Sequence, residues 1–366
     1  MLLYWMSVFK PARNLVQLSY NECVKRLVFT GGHHTSALEV AKALKGKGWQ
    51  IIWFGHRHSM WGDKSDSAEY TEVTAASIKF IDLKAGKFFR TFNPLKLIRI
   101  PFGLFQAFYY LLLLKPVGIV SFGGYMAVPT VLAGWLLGIP SIAHEQTVVS
   151  GWANKFISLF VRKVALAWSD SVRHYPPHKS VVIGLPLRSE IIKIRKPKTE
   201  NRKLIYITGG KQGSQTINKV VFAALPELLA NYRIIHQTGN LDYSTAQSYL
   251  KDGYECFSFD SSKAVSALSQ AAVVVSRAGA HIVYELAYLK KPCVLIPISH
   301  TSHDEQLLNA QILERNHQAV ILPESKLSPQ SLISSIKQAF QLIPGKLMLP
   351  IDASEKLIKL IEQQFQ

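Results

Sequence analysis

Strand-like and helix-like segments alternate twice along this chain, and that alternation narrows its possible folds more than any other feature. Residues 26–30 form a short apolar run ending in Gly31-Gly32. A stretch with Leu38, Ala41 and Leu44 at helical spacing follows, then a second apolar run at 50–54. The pattern restarts past residue 200. Residues 203–208 read as a strand, Gly209-Gly210 as a turn, and Ile217, Val220, Val221, Ala224, Leu225 and Leu228 mark one face of a helix. Residues 272–276, 293–297 and 319–322 read as further strands. Ser328-Pro329 reads as an N-cap and first-turn pair for a helix carrying Leu332, Ile333, Ile336 and Phe340. Strands joined by helices must run parallel, with helices covering both faces of the sheet.

The predicted fold class is therefore α/β: two Rossmann-like, doubly wound parallel-sheet domains facing a cleft. A length of 366 residues, 48% of them hydrophobic, is enough for two cores. Residues 171–203, with Pro176-Pro177 and Pro186, read as an interdomain linker. The expected division is an extension at 1–25, a first domain at 26–184, a second at 185–345, and a C-terminal helix within 346–366 that could pack back on the first domain. No repeat at solenoid spacing and no low-complexity segment interrupts this organisation.

Residues 100–143 contain one charge, Lys115, and would be flagged by a hydropathy window. The run 100–114 is shorter than the ~20 residues a bilayer needs. The run 117–143 is broken by Gly118, Gly123, Gly124, Pro129, Gly134, Gly138 and Pro140, and reads better as a buried βαβ unit: strand 117–122, helix 127–137, strand 141–144. The first residues lack a positive segment ahead of their apolar run, so a signal peptide is not expected. Cys23, Cys256 and Cys293 are far apart and form no CxxC, which predicts reduced structural thiols rather than a disulfide or zinc framework.

The net charge of +18 calls for an anionic partner. It is unevenly placed: residues 1–200 hold 26 Lys+Arg against 11 Asp+Glu, whereas 201–366 hold 16 against 13. Between Asp82 and Glu145 there is no acidic residue. Within 83–115, Lys84, Lys87, Arg90, Lys96, Arg99 and Lys115 interleave with Phe88, Phe89, Phe92, Phe102, Phe105, Phe108, Tyr109 and Tyr110. Basic residues among bulky aromatics suit an anionic membrane interface, each basic group near it contributing ~1 kcal/mol. That reading is expected for 88–100, and core packing for 105–114. No nucleic-acid module is present, so nucleic acid is not an expected partner.

Open α/β sheets bind ligands at the carboxyl ends of their strands, and three such ends carry glycine pairs: Gly31-Gly32, Gly123-Gly124 and Gly209-Gly210, the last followed by Lys211, Gln212 and Gly213. Glycine lets backbone N–H groups approach an oxyanion, and the helix N-terminus beyond adds partial positive charge. None of the three fits GxGxxG or GxxxxGK[ST], so neither a dinucleotide dehydrogenase nor a P-loop enzyme is indicated. Further polar groups cluster at His144-Glu145-Gln146, at Ser276-Arg277-Ala278-Gly279-Ala280 with Glu285 two turns on, and at Glu305-Gln306 before Asn309. Taken alone, Glu285 is either a ligand for a ribose diol or a solvated helix carboxylate, and His33 either a base or a helix-edge histidine. There is no DxD pair to bridge a metal to a diphosphate, and no metal or cofactor is expected.

In order along residues 26–340, TGGHHTSALEVAKAL, FGGYMAVPTVLAGWLLGIPSIAHEQ, IGLPLR, ITGGKQGSQTIN, SRAGAHIVYELAYLKKPCVLIP and HDEQLLNA resemble the MurG family, membrane-associated N-acetylglucosaminyltransferases of GT-B fold that make lipid II. The resemblance implies an inverting, metal-independent transfer of N-acetylglucosamine from UDP-N-acetylglucosamine to the C4 hydroxyl of the muramyl sugar of lipid I, in peptidoglycan synthesis and cell division. It implies His33 as the general base. It implies Gly31, Gly32, Gly123, Gly124, Tyr125, His144, Glu145 and Asn154 on the acceptor side. On the donor side it implies Arg188, Gly209, Gly210, Lys211, Gln212, Gly213, Arg277, Gly279, Ala280, Glu285, Glu305, Gln306 and Asn309. It also implies a peripheral position on the cytoplasmic face of the bacterial cell membrane, with UDP-N-acetylglucosamine, lipid I, the anionic inner-membrane surface and cell-wall synthesis proteins as partners.

The chain departs from the family pattern at Val28-Phe29 (for a glycine pair), Thr147 (for Asn), Leu185 (for Asn), Lys211 (for Ser) and Ile282 (for a hydroxyl residue). Rival readings are a GT-B transferase with another lipid acceptor, a UDP-sugar epimerase of similar fold, and a degenerate membrane-peripheral UDP-sugar-binding protein. A lipid I transfer assay separates these.

Overall fold

A computed structural model describes residues 25–58, 66–85, 99–194, 203–298 and 304–365. The extension at 1–24 and most of the aromatic, basic stretch at 88–100 lie outside the described residues.

The first sheet has seven parallel strands: β1 Arg26–Thr30, β2 Gln50–Gly55, β3 Lys79–Asp82, β4 Gly118–Ser121, β5 Ser141–Glu145, β6 Lys163–Leu166 and β7 Ser180–Val182, in the order β3-β2-β1-β4-β5-β6-β7. The second has six: β8 Leu204–Thr208, β9 Arg233–Gln237, β10 Tyr254–Phe257, β11 Val273–Ser276, β12 Cys293–Leu295 and β13 Ala319–Ile321, in the order β10-β9-β8-β11-β12-β13. Both are doubly wound, and their strand order reverses at β1/β4 and at β8/β11. Crossing connections there leave on opposite faces, which opens a crevice beyond the strand ends. The central strands are mostly apolar and, apart from the half-buried Arg26, buried, as parallel strands covered on both faces must be; their polar residues, Thr30, Ser121, Thr208 and Ser276, stand at the carboxyl ends.

The segment read as a linker contributes more than expected. Residues 180–182 pair with β6 as the edge strand of the first sheet, so the first domain runs almost to the crossover at Gly184. Ser180-Val181-Val182, with two apolar residues, is too short a run to stand out in a stretch rich in Pro and Lys.

Helices cover each sheet. In the first half these are α1 His34–Gly46, α2 Ala68–Ala75, α3 Arg99–Leu114, α4 Ala127–Leu136 and α5 Trp152–Ser158. After the short α6 Ser189–Ile192 come α7 Gln215–Leu229, α8 Tyr243–Gln247, α9 Ser261–Gln270, α10 Ala280–Leu289, α11 Glu305–Arg315, α12 Pro329–Ala339 and α13 Ala353–Gln364. Ser328 caps α12 with a reciprocal Ser331 bond, and Pro329 occupies its first turn, as the sequence predicts. The C-terminal helix α13 returns to the first domain, where Leu357 and Ile361 are fully buried in the core on the α1 side. Lys47 pairs with Glu362 at 3.0 Å there. The chain thus crosses between domains twice, and near the crossings Tyr284 donates to the Pro350 carbonyl and stacks edge-on against Trp168 at 4.9 Å.

Among the described residues no helix is long and apolar enough to cross a membrane. Helix α3, expected to be core over 105–114, is two-faced. Ala107, Leu111 and Leu114 are buried, but Phe105 is 67% exposed and Leu112 and Leu113 about half exposed. Cys256 and Cys293 are free thiols.

Candidate functional site

The carboxyl ends of the two sheets face each other, because residues just beyond them bond across the gap. Ser36 of α1 accepts from His281 Nε2 of α10 at 2.8 Å and donates to the Pro186 carbonyl at 2.8 Å. Burial drives the His281 imidazole well below its ordinary pKa, and that leaves it neutral with one N–H to donate. Val148 N donates to Asn309 Oδ1 at 3.5 Å, a third link between the halves.

At the first switch point the two glycine loops are in contact. Gly32 N donates to the Gly123 carbonyl at 3.0 Å. Gly31 sits at φ +133, where a Cβ would lie 2.6 Å from the Phe122 carbonyl carbon, so only glycine lets the loops meet. A Cβ at Gly32 would point into open space. His33 follows at the N-cap position of α1, and its side chain makes no capping bond to the helix. Its carbonyl accepts from Gln146 Nε2 at 3.5 Å. The His33 imidazole is electrostatically coupled to His144 of its own half and to His281 and Glu305 of the other.

The other acceptor-side candidates divide into two groups. Tyr125 is half-buried at the loop tip, and burial first, then Glu69, pushes its hydroxyl up to about 12. Gly124 lies beside Gly32. His144, Glu145 and Asn154 are instead buried beneath the loops. His144 Nε2 lies 3.0 Å from the Gly184 carbonyl, and burial lowers its pKa to about 4. The Glu145 carboxylate accepts five bonds: from Gln146 N, Thr147 N, Thr147 Oγ1, Asn154 Nδ2 and Tyr175 OH, at 2.9, 3.0, 2.9, 2.8 and 2.5 Å. Asn154 in turn packs against Gly123, where a Cβ would lie 2.7 Å from its amide nitrogen. These groups shape the loop floor rather than face the cleft.

At the second switch point, Gly209 to Gly213 form the turn from β8 into α7. Gly213 has φ +78, and a Cβ there would lie 1.9 Å from the Thr238 carbonyl oxygen. The turn is held by Gln237, which donates to the Gly210 carbonyl at 2.7 Å, while a Cβ at Gly210 would meet open space. Gln212 is exposed beside it. Ser214 caps α7 and accepts from Arg277 Nη2 at 2.8 Å, so Arg277 joins this turn to the end of β11. Gly279 is the N-cap of α10, whose first residue is Ala280, and no side chain caps it. The loops around it are tied by Gln306 Oε1, which accepts from Ala278 N and Ile298 N at 3.3 and 3.1 Å. Asn309, fully buried, donates to the Ala278 carbonyl at 3.3 Å. Glu305 opens α11, and burial raises its carboxyl against the pull of His33.

Each of the three cations expected on the donor side is matched to a carboxylate. Arg188 donates from Nε and Nη2 to the two oxygens of Glu285, each at 2.9 Å. Burial pushes the Glu285 carboxyl up, and Arg188 opposes that push. Arg277 Nη2 pairs with Glu324 at 2.7 Å. Lys211 Nζ reaches across the gap to Glu72 Oε1 of α2 at 2.6 Å and to His34 Nε2 at 3.2 Å. Burial alone would raise the Glu72 carboxyl, but bonds from His34 and Lys211 outweigh it and hold the pKa down to about 2. Glu72, Ser36 and His281 were not legible as site residues. Glu72 sits on an otherwise ordinary helix, and Ser36 and His281 acquire meaning only when the two domains are set face to face.

Two doubly wound domains meeting at their switch points, with glycine turns, helix N-termini and arginines gathered at one cleft, define a GT-B-type glycosyltransferase. Residues 29–166 match the glycosyltransferase family 28 N-terminal domain and 204–361 the family's C-terminal domain. The chain is 34% identical over 336 residues to a UDP-N-acetylglucosamine--N-acetylmuramyl-(pentapeptide) pyrophosphoryl-undecaprenol N-acetylglucosamine transferase 2 of Bacillus cereus, covering 87% of this chain and 92% of that one. It is 33% identical over 365 residues to the transferase of the same description from Clostridium kluyveri, covering 93% and 99%. A crystal structure of Acinetobacter baumannii MurG superimposes with TM-score 0.70 at 25% identity, over 93% of this chain and 99% of that one. The chain belongs to glycosyltransferase family 28, in its MurG branch.

Proposed function

We propose that this protein transfers N-acetylglucosamine from UDP-N-acetylglucosamine to the C4 hydroxyl of the muramyl sugar of lipid I, with inversion at the anomeric carbon, and so makes lipid II. The observation that carries the reading is His33, set on the first-domain glycine loop at the start of α1, three residues before Ser36, whose hydroxyl bonds His281 of the second domain.

The acceptor hydroxyl oxygen attacks the anomeric carbon of the donor sugar, and His33 takes the hydroxyl proton. The bond from that carbon to the diphosphate oxygen breaks, and UDP leaves with the electron pair. A positioned base of this kind contributes ~10²–10⁴-fold. Backbone N–H groups of the turn from Gly209 to Gly213, the N-terminus of α10, Arg188, Arg277 and Lys211 supply donors and positive charge for the departing diphosphate. Glu285 binds the ribose hydroxyls, Arg188 holding it ionised until then. Glu305 and Gln306, in the first turn of α11, read the N-acetyl sugar. Radiolabel transfer from UDP-N-acetylglucosamine to purified lipid I tests the reading. Label appearing on a diacylglycerol instead, or on neither lipid, would refute it.

The lipid-linked acceptor is met from the cytoplasmic face of the membrane, with the protein docked peripherally through α3, α4 and α5. These helices pack side by side and expose Phe105, Leu112, Leu113, Trp135, Leu136, Trp152 and Leu159. Trp135 and Phe156 both pack on Phe160, at 5.1 and 5.2 Å, which makes the face continuous. Exposed Lys155 and Arg162 flank it. Each large apolar side chain that enters the interface contributes ~1.5–3 kcal/mol at full burial. Substituting Ser for both Phe105 and Trp152 is expected to lower partition onto phosphatidylglycerol vesicles by ~10-fold or more. Added salt should weaken wild-type binding. Sedimentation that responds to neither the substitutions nor salt would rule this face out.

A further inference from the structure

The three cations assigned above to the donor each already hold a carboxylate, but only one of those carboxylates comes from the opposite domain. Glu285 and Glu324 belong to the second half, whereas Glu72 lies on α2 of the first. We propose that Glu72 is an internal stand-in for the donor's diphosphate at Lys211. Donor binding then exchanges an interdomain ion pair for an ammonium–phosphate pair and releases α2 of the acceptor half. This rests on the reading of the second domain as the UDP-sugar site.

Three features support the exchange. Lys211 sits within the glycine turn itself, where Gly210 leaves open space beside the backbone, so an oxyanion in that turn comes within reach of the same ammonium. The side chains of Lys211 and Glu72 are 33% and 29% exposed, so an incoming ligand can reach the pair, and a flexible four-carbon stem can redirect the ammonium. A carboxylate and a diphosphate crowded onto one ammonium repel each other, which favours departure of the more weakly charged carboxylate. Glu72 can leave without losing every partner, because His34 Nε2 stays 3.3 Å from its second oxygen. Any affinity the donor loses by breaking this contact is returned as a domain interface that knows whether the donor is present, since coupling between two binding events is reciprocal.

The test is calorimetric titration of UDP into the full chain as wild type, Glu72→Gln, Lys211→Met and the double variant, with Glu72→Ala as a second removal of the carboxylate. Glu72→Gln and Glu72→Ala are expected to bind UDP about threefold to tenfold more tightly than wild type, since the competing anion is gone. In the Lys211→Met background, Glu72→Gln is expected to change affinity less than ~2-fold, since nothing remains to compete for. Unchanged or weakened UDP affinity in both Glu72 variants overturns the exchange, as does an equal tightening in the Lys211→Met background. A wild-type chain that binds neither UDP nor UDP-N-acetylglucosamine overturns the donor reading itself, and this inference with it.

Discussion

Replacing His33 by Ala should lower turnover with lipid I by ~10²–10⁴-fold while leaving UDP-N-acetylglucosamine affinity within ~3-fold of wild type. The split follows from where the residue sits. His33 is on the first-domain loop, one residue before α1, and is held from below through its own carbonyl by Gln146. Removing the imidazole leaves the donor turn from Gly209 to Gly213, Arg188 and Arg277 in place, so the loss falls on the proton transfer and not on nucleotide binding. Measuring kcat and donor KM separately checks this. Turnover within ~10-fold of wild type would mean that another group takes the proton.

The second large effect is structural. Glu145→Ala should cost about 3 kcal/mol or more of unfolding free energy, because five donors in a buried pocket lose their common acceptor. Tyr175 is the least able to adapt: burial first, then the Glu145 carboxylate, drives its hydroxyl far above the ordinary range, so it remains a donor with nothing to bond. Activity should fall with stability, because Asn154, one of the five, is packed under Gly123. The denaturant midpoint of the variant against wild type is the measurement. A loss below ~1 kcal/mol would show that water replaces the carboxylate and that the loop floor does not depend on it.

The placement of Glu145 shows how far sequence reasoning reaches at this site. The HEQ element is legible as part of the acceptor half, because it follows a strand and matches the family pattern. Its depth is not, since Gln146, Thr147, Asn154 and Tyr175 converge on it only after β5, α5 and the segment before β7 pack together. Thr147, a departure from the family's Asn, also gains a definite role: its backbone N–H bonds Glu145, and its single hydroxyl proton is shared between Glu145 and the Val149 carbonyl. Lys211, the departure nearest the expected diphosphate, similarly takes its meaning from Glu72, a partner 139 positions away in sequence. The face on α3 was half legible: the pattern marks 105–114 as apolar but cannot say which side meets a neighbour, and the structure buries Ala107 and Leu111 while leaving Phe105 and Leu112 outside.

By itself the sequence determined the class. Apolar runs too short for helices, each followed by a helical stretch, allow only parallel strands with crossovers, and the order of motifs assigns the family. Glycine at 31, 123, 209 and 213 already located the tight turns at the strand ends, because local backbone geometry is written in local residues. The tertiary structure alone decided which charges cancel which. Whether Glu72 meets Lys211 or Ser36 meets His281 depends on the two domains meeting, and Glu285 meets Arg188 only where the segment before α6 packs on α10; no local signal encodes a bond between residues that distant in the chain. Electrostatic pairing is a property of distance in space, and here that distance is set by how the elements and the two domains pack.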